Sequence, residues 1–110
     1  MIEEPQNIKI FVTSRGKAPF QDWLKSLKDV KARAKVRQRV DRLTLGNFGD
    51  CNSVGDGVYE IRIHFGPGYR VYFGRDGKSI VLLLCGGTKR NQQKDIDKAK
   101  SYWKDYRLED

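Results

Sequence analysis

The sequence predicts an α+β fold: an antiparallel β-sheet with two amino-terminal helices packed on it and a carboxy-terminal helix. Three observations predict it. The hydrophobic period runs strand, helix, helix, three strands, helix along the chain. A break dense in glycine and turn formers, GNFGDCNSVGDG, separates the helical part from the β-rich part, so residues 46–57 are expected to be a loop. Asp76-Gly77 then joins the last two β-rich runs as a hairpin, because a tight turn matching the sheet twist needs positive φ. With 110 residues, a single domain spanning 1–110 is expected.

Residues 8–13, IKIFVT, are rich in β-branched and aromatic side chains and read as the first strand. In APFQDWLKSL, Pro19 suits the first helical position and Asp22 the positive end of the helix dipole. Phe20, Trp23, Leu24 and Leu27 recur at helical spacing and are assigned to the core. A second helix covers residues 30–45, where Ala32, Val36, Val40 and Leu43 share a narrow arc and Gly46 ends the run. Lys31, Lys35, Arg39 and Arg42 share another arc of this helix. That cationic face is either a ribosome or RNA contact or a solvated surface. Residues 58–65, 69–74 and 79–85 read as an antiparallel meander, and CGGTKR as the turn by which the chain leaves it. Ile96, Ala99, Trp103 and Tyr106 place a last helix at the end.

The charge narrows the function. Twenty-two Lys and Arg against 14 Asp and Glu give a formal net charge of +8, which repels itself in the fold but draws the chain to polyanions through counterion release. Nucleic acid or the ribosome is the expected partner. Cys51 and Cys85 lie far apart and the chain has one histidine, so the spacing of a zinc site is missing and no metal or cofactor is expected. The acidic start MIEEPQNIKIFV lacks the basic region and apolar run of a secretion signal, and no segment approaches the ~20 apolar residues that cross a bilayer. A cytoplasmic protein without membrane contact is expected.

Candidate chemistry lies in VYEIRIHF. Alternation sets Tyr59, Ile61, Ile63 and Phe65 on one face and Glu60, Arg62 and His64 on the other. The neighbouring strand offers Arg70 and Tyr72 at matching alternate positions, and Lys89, Arg90 and Lys94 follow the final strand. Together they would supply cations for phosphates, an aromatic ring for a base and one imidazole. RNA cleavage without metal needs such an inventory: an aligned 2′-hydroxyl, positive charge on the phosphorane and a proton for the leaving oxygen. Arginine supplies the charge, while His64 or Glu60 are candidates to move protons. A polar, merely solvated strand face is the competing reading.

The segment VYEIRIHFGPGYRVYFGRDGKSIVLLLCGGTKRNQQKDIDKAKSYWKDY resembles the carboxy-terminal half of the HigB-like or phage Gp49-like branch of the RelE/ParE toxins, and PFQDWLKSLKDVKARAKVRQRVDRL resembles that branch's helical hairpin. The resemblance implies a toxin of a type II toxin-antitoxin pair, a ribosome-dependent endoribonuclease that cuts messenger RNA, and a cognate antitoxin, of helix-turn-helix type and encoded by the adjacent gene. It implies no cofactor. Arg62, Arg70, Lys89 and Arg90 fall where the family carries basic residues. Glu60 stands where a basic residue is usual, and QQKDID replaces the late tyrosine or histidine of many ribosome-dependent members. A ParE-like DNA gyrase poison, binding without RNA cleavage, and a non-toxic basic nucleic-acid-binding module are the alternatives.

Overall fold

A computed structural model describes residues 4–108. Its elements are β1 (Asn7–Ile10), α1 (Pro19–Ser26), α2 (Val30–Thr44), β2 (Cys51–Gly55), β3 (Val58–Ile63), β4 (Tyr69–Asp76), β5 (Ile80–Thr88), a 3-10 turn (Lys89–Asn91) and α3 (Gln92–Leu108). The five strands form one sheet in the order β1-β5-β4-β3-β2. β1 runs parallel to β5, so the sheet is mixed rather than antiparallel throughout. The helical pair carries the chain across the sheet and the meander builds back towards β1. No local residue pattern announces that return.

Each helix follows from its sequence. Pro19 opens α1, whose Phe20 and Leu24 are buried while Trp23 and Leu27 are half-buried. Asp29 caps α2 by accepting from the backbone N–H of Lys31 at 2.9 Å and of Ala32 at 3.4 Å, an interaction typically worth ~1 kcal/mol. Ala32, Val36 and Leu43 are buried and Val40 is half-buried. The helix stops at Gly46, whose φ of 83° suits a residue without Cβ. α1 and α2 share one core with Ile61, Ile63, Val71, Phe73, Val81 and Leu83. Ile96, Ala99 and Trp103 of α3 share a second with Val58, Tyr72, Leu82 and Leu84.

Three expectations about strands need correction. The first strand ends at Ile10 rather than Thr13, because residues 13–17 close a turn through Thr13 N–H to Lys17 O and Gly16 N–H to Thr13 O. The presumed loop holds β2, which pairs antiparallel with β3. Its polar residues are tolerated because it is an edge strand, and its turn has positive φ at Asp56 and Gly57, as a two-residue hairpin requires. Gly86 and Gly87 also belong to a strand, opposite Val71 and Arg70. They are glycines because a Cβ at Gly86 would overlap the Trp23 ring and one at Gly87 the Asp95 carboxylate. Among the described residues no helix is long and apolar enough to cross a membrane.

Candidate functional site

The β3–β4 register decides which polar residues meet. Glu60 lies opposite Tyr72 and Arg62 opposite Arg70, so all four side chains share one sheet face. Two arginines directly across an antiparallel pair repel, and Glu60 lies between them. Its Oε1 accepts from Arg62 Nε at 2.9 Å, its Oε2 from the Tyr72 hydroxyl at 3.0 Å and Gln92 Nε2 at 2.8 Å, and Arg70 Nε stands 3.7 Å from Oε2. Burial opposes the Glu60 charge, but the bonds from Arg62, Gln92 and Tyr72, with Arg70 nearby, outweigh it and hold the carboxyl below its ordinary range. It is an anion with committed lone pairs. Through that bond Glu60 holds the Arg62 guanidinium more firmly protonated.

The two arginines differ in access. The Arg62 side chain is 40% exposed, free to present its fork to an incoming phosphate, whereas Arg70 is 7% exposed and its Nε lacks a hydrogen bond. A Cβ at Gly68 would lie 3.6 Å from both Arg70 Nη1 and Lys89 Cβ, so Lys89 and Arg70 flank the same glycine. Arg90 and Lys94 are exposed beside it. No hydrogen bond or ion pair joins them to Glu60 among the described residues. Tyr72, expected as a platform for a base, is fully buried. Its hydroxyl serves Glu60, and burial beside that carboxylate pushes its pKa up. A sealed ring cannot stack on RNA, so the expectation for Tyr72 is corrected to a buried partner of Glu60.

His64 stands apart from this group, just beyond β3. Its Nε2 is 2.7 Å from Asp50 Oδ2, and both side chains are open to solvent. The hydrogen bond from His64 is the main cause that lowers the Asp50 carboxyl below its usual range. Here the structure joins residues from distant parts of the sequence: Lys35, Arg39 and Arg42 of α2 line a cleft of about 370 Å³ together with Asp50, Arg62 and His64. Lys31, one turn earlier, lines a neighbouring surface with Lys35 and Phe65. Arg62 therefore belongs both to the Glu60 group and to the cationic cleft. Such a surface can bind consecutive phosphates of a nucleic acid strand.

Sequence reasoning missed Asp50, Gln92 and Asp95. Asp50 was hidden in a stretch read only for its turn formers. Gln92 and Asp95 lie in QQKDID, whose first turn faces the sheet as α3 begins.

Residues 22–104, which contain all of these side chains, match the family described as phage derived protein Gp49-like (DUF891). An uncharacterized protein of Haemophilus influenzae (strain ATCC 51907 / DSM 11121 / KW20 / Rd) is 52% identical over 81 residues, 74% of this chain and 82% of the relative. The chain thus belongs to the phage-derived Gp49-like family, within the RelE/ParE-like toxin superfamily.

Proposed function

We propose that this chain is the toxin of a toxin-antitoxin pair and that it cuts messenger RNA on the ribosome. The observation that carries the reading is the Arg62–Arg70 pair, oriented by one buried carboxylate and continuous through Arg62 with the α2 cleft. The ribose 2′-hydroxyl attacks the adjacent phosphate, forming the 2′,3′-cyclic product as the 5′-oxygen leaves. Arg62, Arg70 and Lys89 offset the negative charge that builds on the phosphorane. Glu60 is a positioning residue, since its lone pairs hold Arg62 and its lowered pKa makes it a weak base. His64, oriented by Asp50, is the group that moves protons. Arg90 and Lys94 extend the contact along the strand, while Lys31, Lys35, Arg39 and Arg42 hold ribosomal RNA.

The test is to incubate purified chain with programmed ribosomes and map breaks by primer extension. Wild type should cut the message, and Arg62→Ala should cut it ~10²–10³-fold more slowly, the usual loss for one preorganised transition-state contact. Intact message with wild type would overturn the reading. The burial of Tyr72 favours a second one, because it removes the expected stacking ring from the face. A ParE-like gyrase poison needs only binding, and inhibition of supercoiling by a chain that spares ribosome-bound message would establish it.

A further inference from the structure

A cavity of about 290 Å³ opens beside the outer edge of β5. β1 stops pairing at Leu83, so residues 85–88 have no strand on that side. Gly86 and Gly87 form the floor, with Trp23 of α1 and Tyr102 of α3 among the walls. Asp95 reaches over Gly87. It is half-buried, and burial pushes its carboxyl above the ordinary range in spite of Lys98 and Lys94 nearby. Among the described residues no hydrogen bond or ion pair engages that carboxylate; the Cys85 thiol points to the Asp95 backbone oxygen instead, at 3.7 Å. The carboxylate therefore lines the cavity with its oxygens uncommitted to other side chains. Arg70 is the direct cross-strand partner of Gly87, so this unsatisfied acceptor lies one strand from the arginine pair.

We propose that the cavity is a base-reading slot that takes the Watson–Crick edge of a guanine, with Asp95 as the specificity-determining residue. The proposal rests on the RNA reading above and adds the base to it. A carboxylate with two free oxygens matches two adjacent donors, and guanine offers them as N1–H and the N2 amino group. Adenine and cytosine place an unprotonated ring nitrogen beside their amino group, which the carboxylate repels. Uracil has one N3–H between two carbonyls. The walls supply apolar ring surface, as protein sites for single-stranded bases commonly do. The volume lies at the low end of ligand cavities, which run from about 300 Å³; it suits one base, with its sugar and phosphate left outside towards Arg70. Asn91 and Lys98, also in the lining, are donors for the guanine O6.

The test titrates the whole chain by amide and indole NMR with the 5′-monophosphates of guanosine, inosine, adenosine, cytidine and uridine. Guanosine monophosphate should shift the Trp23 indole and the Gly86 and Gly87 amides. Inosine monophosphate, which lacks only the N2 amino group, should bind about tenfold more weakly, the loss expected for one hydrogen bond to a charged group. Asp95→Asn should remove the guanine preference without lowering the melting temperature, since among the described residues no hydrogen bond or ion pair holds that carboxylate. Equal shifts from all five nucleotides would overturn the proposal, as would guanosine monophosphate moving only resonances around Arg70 and Lys89. Tighter, Asp95-dependent binding of N-acetyl-argininamide would also overturn it, assigning the slot to a partner's arginine. The titration needs no cleavage, so it separates the two readings: a chain that spares message but selects guanosine monophosphate keeps the slot. A nuclease whose Asp95→Asn variant cuts with unchanged base preference loses it.

Discussion

At the scale of single residues, Glu60 decides how the charged face behaves. Its carboxylate is fully buried and bonded to Arg62, Tyr72 and Gln92, so Glu60→Gln preserves the shape while leaving Arg62 and Arg70 facing each other uncompensated. Breaking a buried pair costs roughly 3–5 kcal/mol, and the partial exposure of Arg62 puts this case near the low end. Urea denaturation should register that loss. The pH dependence has a definite sign. Because folding lowers the Glu60 pKa from its ordinary 4.5, its contribution is complete above about 4.5 and is lost as pH falls through the lower folded value. Asp95, raised by burial, gives the opposite slope, with stability falling as pH rises through its folded pKa. Glu60→Gln should therefore flatten the acid limb, and Asp95→Asn should steepen it. Acid limbs that overlay for wild type and Glu60→Gln would deny Glu60 this role.

At the scale of elements, α2 has two faces with separate duties. Ala32, Val36 and Leu43 fix it to the sheet, and Lys35, Arg39 and Arg42 line the cleft with Arg62 and His64. If the cleft holds phosphates, each lysine or arginine removed lowers the salt slope of binding by a little under one unit. Lys35→Ala with Arg42→Ala should lower it by roughly 1.5 and weaken ribosome binding at low salt, the difference closing as salt rises. Filter binding across a salt series checks this, and an unaltered slope would leave α2 as a solvated helix. Both faces were legible in the sequence, since helical spacing sorts them without tertiary knowledge. The convergence of Glu60, Arg62 and Arg70 was legible for a similar reason: alternation fixes which side of a strand a residue takes. What escaped depended on partners distant in sequence. β2 is strand only because β3 offers it an edge, Gly86 and Gly87 are strand because β4 pairs with them and glycine because Trp23 and Asp95 occupy the room of a Cβ, and the direction of β1 depends on where the returning meander places β5. The burial of Tyr72 likewise follows from α3 closing over the sheet, which period-2 reasoning does not contain.

At the scale of the whole molecule, the chain carries a net charge of +8, Lys35, Arg39, Arg42 and Arg62 gather part of its positive charge in one cleft, and membership of a toxin family implies an antitoxin partner. An acidic segment that folds along this surface gains charge neutralisation and apolar burial together, which offsets the cost of ordering it. Two geometries inhibit: direct cover over Arg62 and the α2 cleft, or wrapping elsewhere so that the complex outgrows the ribosomal site. We expect the second, with an unpaired sheet edge such as β1 or β2 open to a partner strand. Co-expression with the adjacent gene should restore growth and yield a co-purifying complex whose association rate falls steeply with salt. Hydrogen exchange on that complex tells the geometries apart. Wrapping protects amides at an outer strand and leaves those of Arg62 and α2 unchanged, whereas direct cover protects the cleft. A neighbouring gene product that neither binds nor rescues would remove the toxin-antitoxin pairing at this locus while leaving the ribosome assay to decide the chemistry on its own.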